Sequence, residues 1–324
     1  MPSIYTHNYF AKDVLKKINT KNNKSINNDT YYLIFAQSFD NLFYYNFLSL
    51  KSGKKYRKLG HKTHTHKVWK YFKNMISYIK ENKLYDDENL GYLYGSLTHY
   101  ALDSTCHPYI HYISGRFTKR DIKNTKKYMG YHAINEIMLD AIYYYNDHDD
   151  KYYKYKLAKD IIPKTKFSNE LIKTMNYTFK ETFNVDNLGY IYNKSYNQSH
   201  YIYKYLMYDR FGIKKALYKL FDIVTPFKLF KAYTYSHHVS KIKPEILNLD
   251  HSTWIHPVTG DKHNESFIDL YNIAYDKVVT MVKKCNDYFN DKITLDDLEK
   301  IIGNTSYSSG LDCDLRIDFK YFKQ

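Results

Sequence analysis

Apolar side chains recur at steps of three and four residues along most of this 324-residue chain, and only 11 glycines and 6 prolines interrupt them. That spacing lays apolar residues along one stripe of an α-helix, whereas a half-buried strand would alternate at every second residue. The chain is therefore expected to be all-α, built of many helices. Phe10, Val14 and Ile18 line a first helix, 19–30 reads as a loop, and a second helix is expected over roughly 31–49. KSGKKYRKLG at 51–60 reads as a basic turn, and Val68, Phe72, Met75, Ile76 and Ile79 give the next stripe. A helix from about Asn89 to Cys106 is expected to end at Pro108, and another runs from about Lys123 to Asp147. A charged segment near 146–156 follows, then periodic stretches near 168–184, 197–209, 212–221, 227–241, 265–290 and 294–302.

Lys and Arg outnumber Asp and Glu by 49 to 34, a formal charge of +15 that suits an anionic partner such as a phospholipid surface or nucleic acid. The excess is spread along the chain, so it serves equally well as a background bias. Cys106, Cys285 and Cys313 are odd in number and lack metal-ligand spacing, which argues against a disulfide framework. MPSIYTHNYF has neither the basic start nor the apolar stretch of a secretory signal, so a cytoplasmic location is expected. No run is apolar enough to span a membrane. The nearest, at 31–50, carries Gln37, Asp40, Asn41 and Asn46.

HYALDSTCHPYIH at 99–111 places His99, Asp103, His107 and His111 four residues apart. Residues four apart on a helix differ by about 40° around the axis, so His99, Asp103 and His107 share one face. Imidazole nitrogens and carboxylate oxygens are typical zinc ligands. Successive turns rise about 5.4 Å, too far for His99 and His107 to share one ion easily, so the spacing points to two metals with Asp103 available to either. HAINEIMLD repeats the pattern with His132 and Glu136, and Asp140 follows one turn on, where it either orients a ligand or is solvated. LGHKTHTHK offers His61 or His64, with His66 a further candidate. Asp40 sits in an apolar, aromatic stretch where a lone carboxylate would be costly to bury, and a positive partner is its simplest explanation.

The order Thr6-His7, AQSFDNLFYY, LGHKTH, HYALDSTCHPY and HAINE resembles the zinc-dependent phospholipase C family, in its unsecreted bacterial and archaeal branch. Trp254, Pro257, Ser266-Phe267, Leu270 and Ala274 are similar to a C-terminal signature of that branch. The resemblance implies an all-helical domain holding two or three zinc ions. Asp40, His64 (or His61), His99 and Asp103 would surround one, and His107, His132 and Glu136 a second. In the secreted enzymes a third ion uses the amino end of an N-terminal tryptophan and an early histidine, which His7 would match. This chain opens Met1-Pro2-Ser3, which leaves that ion open. The interval after Asp103 is shorter than in those enzymes and similar to the glycosylphosphatidylinositol-specific phospholipase D branch.

These readings make 1–150 a metal-binding core, 151–303 further helices packing on it or forming a second lobe, and 304–324 a tail. The function implied is hydrolysis of a phosphodiester by a metal-activated water, with Asp40 as ligand and general base. A phospholipid is the first substrate class, with peripheral membrane contact. A zinc nuclease or nucleotidase with the same cluster and a non-catalytic metal-binding protein are the alternatives. His111, beyond Pro108, reads as loop or as support for a ligand, and Cys106 as an inert buried thiol.

Overall fold

The computed structural model describes residues 4–19, 26–47, 49, 51, 53–115, 128, 130–148, 156–224, 234 and 244–323. In chain order its helices are α1 (Ile4–Ile18), α2 (Thr30–Phe35), a 3-10 segment (Ser38–Tyr44), α3 (Lys54–Thr63), α4 (Val68–Glu81), α5 (Asp87–Ile113) and α6 (Tyr131–His148). Then come α7 (Leu157–Asp160), α8 (Asn169–Phe183), α9 (Leu188–Ile202), a π segment (Tyr203–Met207), α10 (Ile213–Val224), α11 (Phe267–Phe289) and α12 (Leu295–Ile302). Among the described residues a single short hairpin pairs β1 (Trp254–Ile255) with β2 (Lys262–His263), antiparallel. The fold is all-α apart from that hairpin, as the periodicity requires. Most of the stretch expected to be helical at 227–241 lies outside the described residues.

Helix α5 is the central pillar, with α2 and α11 packed along it. The Asp86 carboxylate caps it, accepting from the N–H groups of Glu88 and Asn89. Gly91 and Gly95, one turn apart, let α2 approach backbone to backbone. A Cβ on Gly91 would lie 2.7 Å from Tyr32 N, and one on Gly95 2.5 Å from Tyr32 O. The core around the pillar is rich in buried tyrosines, and several of their hydroxyls find partners. Tyr71 donates to Tyr92 at 2.8 Å, Tyr100 to the Ile302 carbonyl at 2.8 Å, and Asn286 donates to Tyr94 at 2.9 Å.

Three expectations are corrected. The helix foreseen over 31–49 is split, because Ser38 adopts a left-handed φ of 37° and the chain tightens into the 3-10 segment that carries Asp40. Helix α9 clamps this segment: Ser195 Oγ donates to the Asn41 carbonyl, Ser199 Oγ to Asn41 Oδ1 at 3.0 Å, and Asn41 Nδ2 to Tyr192 at 3.2 Å. The basic stretch at 51–60 is mostly helix α3, and Arg57 gathers the carbonyls of Tyr45, Asn46 and Ser49. Nor does α5 end at Pro108; it continues to Ile113. A proline inside a helix frees the carbonyl four residues earlier, here that of Ser104. Gly310, at φ +68°, packs against that carbonyl, and a Cβ there would come within 2.8 Å of it.

Gly95→Ala should force α2 away from α5, costing about 1–3 kcal/mol in chemical denaturation. Unchanged stability would mean that the close helix contact does not matter.

Candidate metal centre

His99, Asp103 and His107 project from one face of α5 toward side chains from four other elements: His7 on α1, Asp40 on the 3-10 segment, His64 at the end of α3, and His132 and Glu136 on α6. His7 Nε2 lies 3.1 Å from Asp103 Oδ1 and His99 Nε2 3.1 Å from Asp103 Oδ2. His64 Nε2 lies 3.2 Å from Asp40 Oδ1 and 4.0 Å from Asp103 Oδ2. Glu136 Oε1 is 3.2 Å from His107 Nε2 and 3.1 Å from His132 Nε2. Ligand atoms gather in three groups: His7, Asp40 and His99; His64, His99 and Asp103; His107, His132 and Glu136. His99 and His107 fall into different groups, as the rise of the helix requires. Above them opens a cleft of about 480 Å³, lined by Asp40, His64, His107 and His132 with Lys62 and Ser308.

The donor set fits divalent metal ions. His64, His99 and His107 turn Nδ1 to the backbone carbonyls of Gly60 (2.6 Å), Ala36 (3.1 Å) and Tyr307 (2.9 Å). A carbonyl only accepts, so Nδ1 carries the proton and Nε2 keeps its lone pair, the arrangement of metal-ligating histidines. His7 Nδ1, His99 Nε2, Asp103 Oδ2 and His132 Nδ1 are buried without a hydrogen bond of acceptable geometry, although His99 Nε2 and Asp103 Oδ2 approach closely. Buried polar atoms left this way are costly unless something else satisfies them. Burial would raise the Asp103 carboxyl, yet His107, His99 and His7 hold it well below the usual carboxylate range. Asp40 and Glu136 are likewise held down despite burial, by the imidazoles of His64 and His99 beside the first and of His132 and His107 beside the second. His7, buried beside His99, is pushed down.

Of the alternatives, His64 joins the cluster. His61 is exposed with its ring on Phe43, and His66 is exposed beside Thr65. His111 is corrected from loop to helix; it pairs with Ser308 Oγ at 3.0 Å and packs on the His132 ring. Asp140 is not solvated. Fully buried, it accepts from the N–H groups of Tyr5 (3.1 Å) and Thr6 (2.8 Å) and from the Thr6 hydroxyl (2.8 Å), so α6 caps the first turn of the helix carrying His7. Cys106 is a buried thiol with a raised pKa, set by burial.

Sequence reading missed Tyr307. Its N–H donates to the His64 carbonyl at 2.9 Å, its carbonyl accepts from His107, and its ring packs within 5.1 Å of His64 and 5.8 Å of His99 between centroids. Its role is exerted through backbone groups and ring shape, which no side-chain motif reveals; only the Ser-Ser-Gly turn after it hints at a tight structure.

The chain matches the family described as zinc dependent phospholipase C over residues 6–185, more than half its length. It belongs to that family, whose name indicates zinc dependence and hydrolysis of phospholipids. The matched stretch contains all the clustered side chains and extends the resemblance past residue 150, while Tyr307 lies outside it. No match was found among curated proteins or solved structures. Among the described residues no helix is long and apolar enough to cross a membrane.

Tyr307→Ala should weaken zinc binding about 10–100-fold in competition with a chromophoric chelator, whereas Tyr307→Phe should not, because the buried hydroxyl makes no hydrogen bond. Equal affinities in the two variants would remove the residue from the centre. A pH dependence follows as well. Burial pushes His99 and His107 down, but Asp103 lifts both above the ordinary value, with Glu136 also acting on His107. A histidine raised in the folded state stabilises the metal-free protein below its unfolded value and stops doing so as pH rises through the folded value. Zinc requires the neutral rings. The gain in Tm on adding zinc should therefore grow from about pH 5.5 to about pH 8; a constant gain would mean that these rings do not bind it.

Proposed function

We propose that this protein is a zinc-dependent phosphodiester hydrolase of phospholipase C type. What carries the reading is the fusion of the ligand groups: His99 belongs to two of them, and Asp103 lies within 3.5 Å of His107 in the third. Several ions held side by side beneath an open cleft suit phosphoryl chemistry better than a structural site, whose ligands close around one ion. Zinc ions at such a cluster lower the pKa of water and neutralise charge developing at phosphorus.

The rest falls to the chain. His64, His99, Asp103, His107, His132 and Glu136 would hold two ions, Asp40 would join the first, and His7 would offer a ligand toward a third. Asp40 also reaches the cleft wall. Its carboxylate, anchored from one side by His64, orients the attacking water and takes its proton as the oxygen adds to phosphorus. Lys62 and Ser308 at the cleft wall offer donors to the phosphate oxygens. With a phospholipid, the glyceryl oxygen leaves as the alcohol of diacylglycerol, and the headgroup departs as its phosphate ester. The +15 charge keeps single-stranded nucleic acid as a second substrate class.

Elemental analysis of protein purified without a metal-affinity tag should find two or three zinc equivalents, reduced in His99→Ala and in His132→Ala. Asp40→Asn should keep most of the metal and lose about 10²–10⁴-fold in turnover of a phosphodiester. Substoichiometric zinc, unchanged in the histidine variants, would refute the reading; zinc without turnover of either phospholipid or single-stranded DNA would leave a non-catalytic metal protein.

A further inference from the structure

Helix α10 is turned inside out. At about 100° per residue, Ile213, Leu217, Leu220, Ile223 and Val224 fall in one arc, and Lys215, Lys219 and Asp222 in the opposite one. In a helix packed on a core the apolar arc is hidden, but here Ile213 is 69% exposed, Ile223 77% and Val224 78%, while the only buried residue of the helix is Asp222. Phe211, just before it, and Tyr201, Tyr205 and Leu206 extend the exposed apolar surface back to the end of α9. A continuous patch of this kind marks a contact surface.

Charge says what the contact is with. Between Tyr203 and Val224 the only acids, Asp209 and Asp222, are buried, whereas Lys204, Arg210 and Lys219 are exposed. A cleft of about 640 Å³ adjoins this surface through Tyr203, Lys204 and Tyr205, away from the metal cluster. Its walls are largely apolar, Leu157, Pro163, Tyr203 and Tyr205 among them, and Lys159, Lys164 and Lys204 stand around it. An exposed apolar arc flanked by Lys204, Arg210 and Lys219, with both acids of the segment buried, is the pattern of a helix lying in the plane of an anionic lipid interface, apolar side chains in the acyl boundary and cations at the headgroups.

We propose that α10 and the adjoining surface around Tyr205 dock the protein on an anionic phospholipid surface. The choice of a lipid over another polyanion rests on the phospholipase reading of the metal centre, but the docking itself needs no catalysis. It is tested by co-sedimentation of the full-length Asp40→Asn protein, which leaves the lipid intact, with vesicles of phosphatidylcholine alone or mixed with phosphatidylglycerol. Binding to the mixed vesicles should be at least about tenfold tighter than to the neutral ones and should weaken with salt. Leu220→Glu with Ile223→Glu should reduce it about tenfold or more, since both sites are exposed and the fold does not depend on them. Lys204→Ala with Arg210→Ala and Lys219→Ala should erase the preference for anionic lipid. On the otherwise unaltered chain, the Glu pair should leave hydrolysis of a soluble short-chain phosphodiester unchanged. Failure of Asp40→Asn to sediment, or sedimentation unaffected by the Glu pair, overturns the proposal even where soluble substrate is cleaved. Self-association in light scattering that the Glu pair abolishes would assign the face to a second copy and overturn it too. Docking by a chain that cleaves no phosphodiester would uphold this proposal while sinking the proposed function.

Discussion

A buried carboxylate organises this protein. Asp103 stands near the middle of its longest helix with His7, His99 and His107 within 3.5 Å, and His64 at 4.0 Å. Taking a carboxylate out of water costs several kcal/mol unless positive charge meets it. His7, Asp40, His64, His132 and Glu136 are brought to this side of α5 from four other elements. Even the distant supports act on this point. Asp140 caps the helix that presents His7, α9 clamps the segment that presents Asp40, and Tyr307 ties down both His64 and His107.

The four-residue register of α5 divides the labour along one face. Gly91 and Gly95 let α2 come close, and that approach is what puts the Ala36 carbonyl within reach of His99 Nδ1. His99, Asp103 and His107 then face the cluster, and His111 backs it. Pro108 leaves the pillar helical but frees the Ser104 carbonyl, and the C-terminal segment lies over that spot through Gly310, which brings Tyr307 to the ligands. Packing and chemistry share one periodicity.

The cluster and the inverted helix α10 answer two physical demands on one chain. The first gathers buried charge where phosphate chemistry can be done. The second leaves apolar surface and lysines outside, at a cost in solubility that a lipid partner would offset.

Helix faces and ligand types were legible because both are local: His99, Asp103 and His107, or His132 and Glu136, share a face by virtue of spacing alone. Breaks set by distant contacts were not. Ser38 bends the chain where α9 can hold it, and Pro108 is tolerated where the C-terminal segment covers it. His64 over His61 depended on which side of a short helix faces the pillar, which spacing cannot tell. Periodicity and donor chemistry belong to each segment alone, so the helical class of the chain and the His, Asp and Glu side chains that could serve as ligands are read from the sequence without a fold. Only the tertiary structure decided which nitrogen each histidine offers and what holds it there, because those hydrogen bonds join groups as far apart in the chain as His107 and Tyr307.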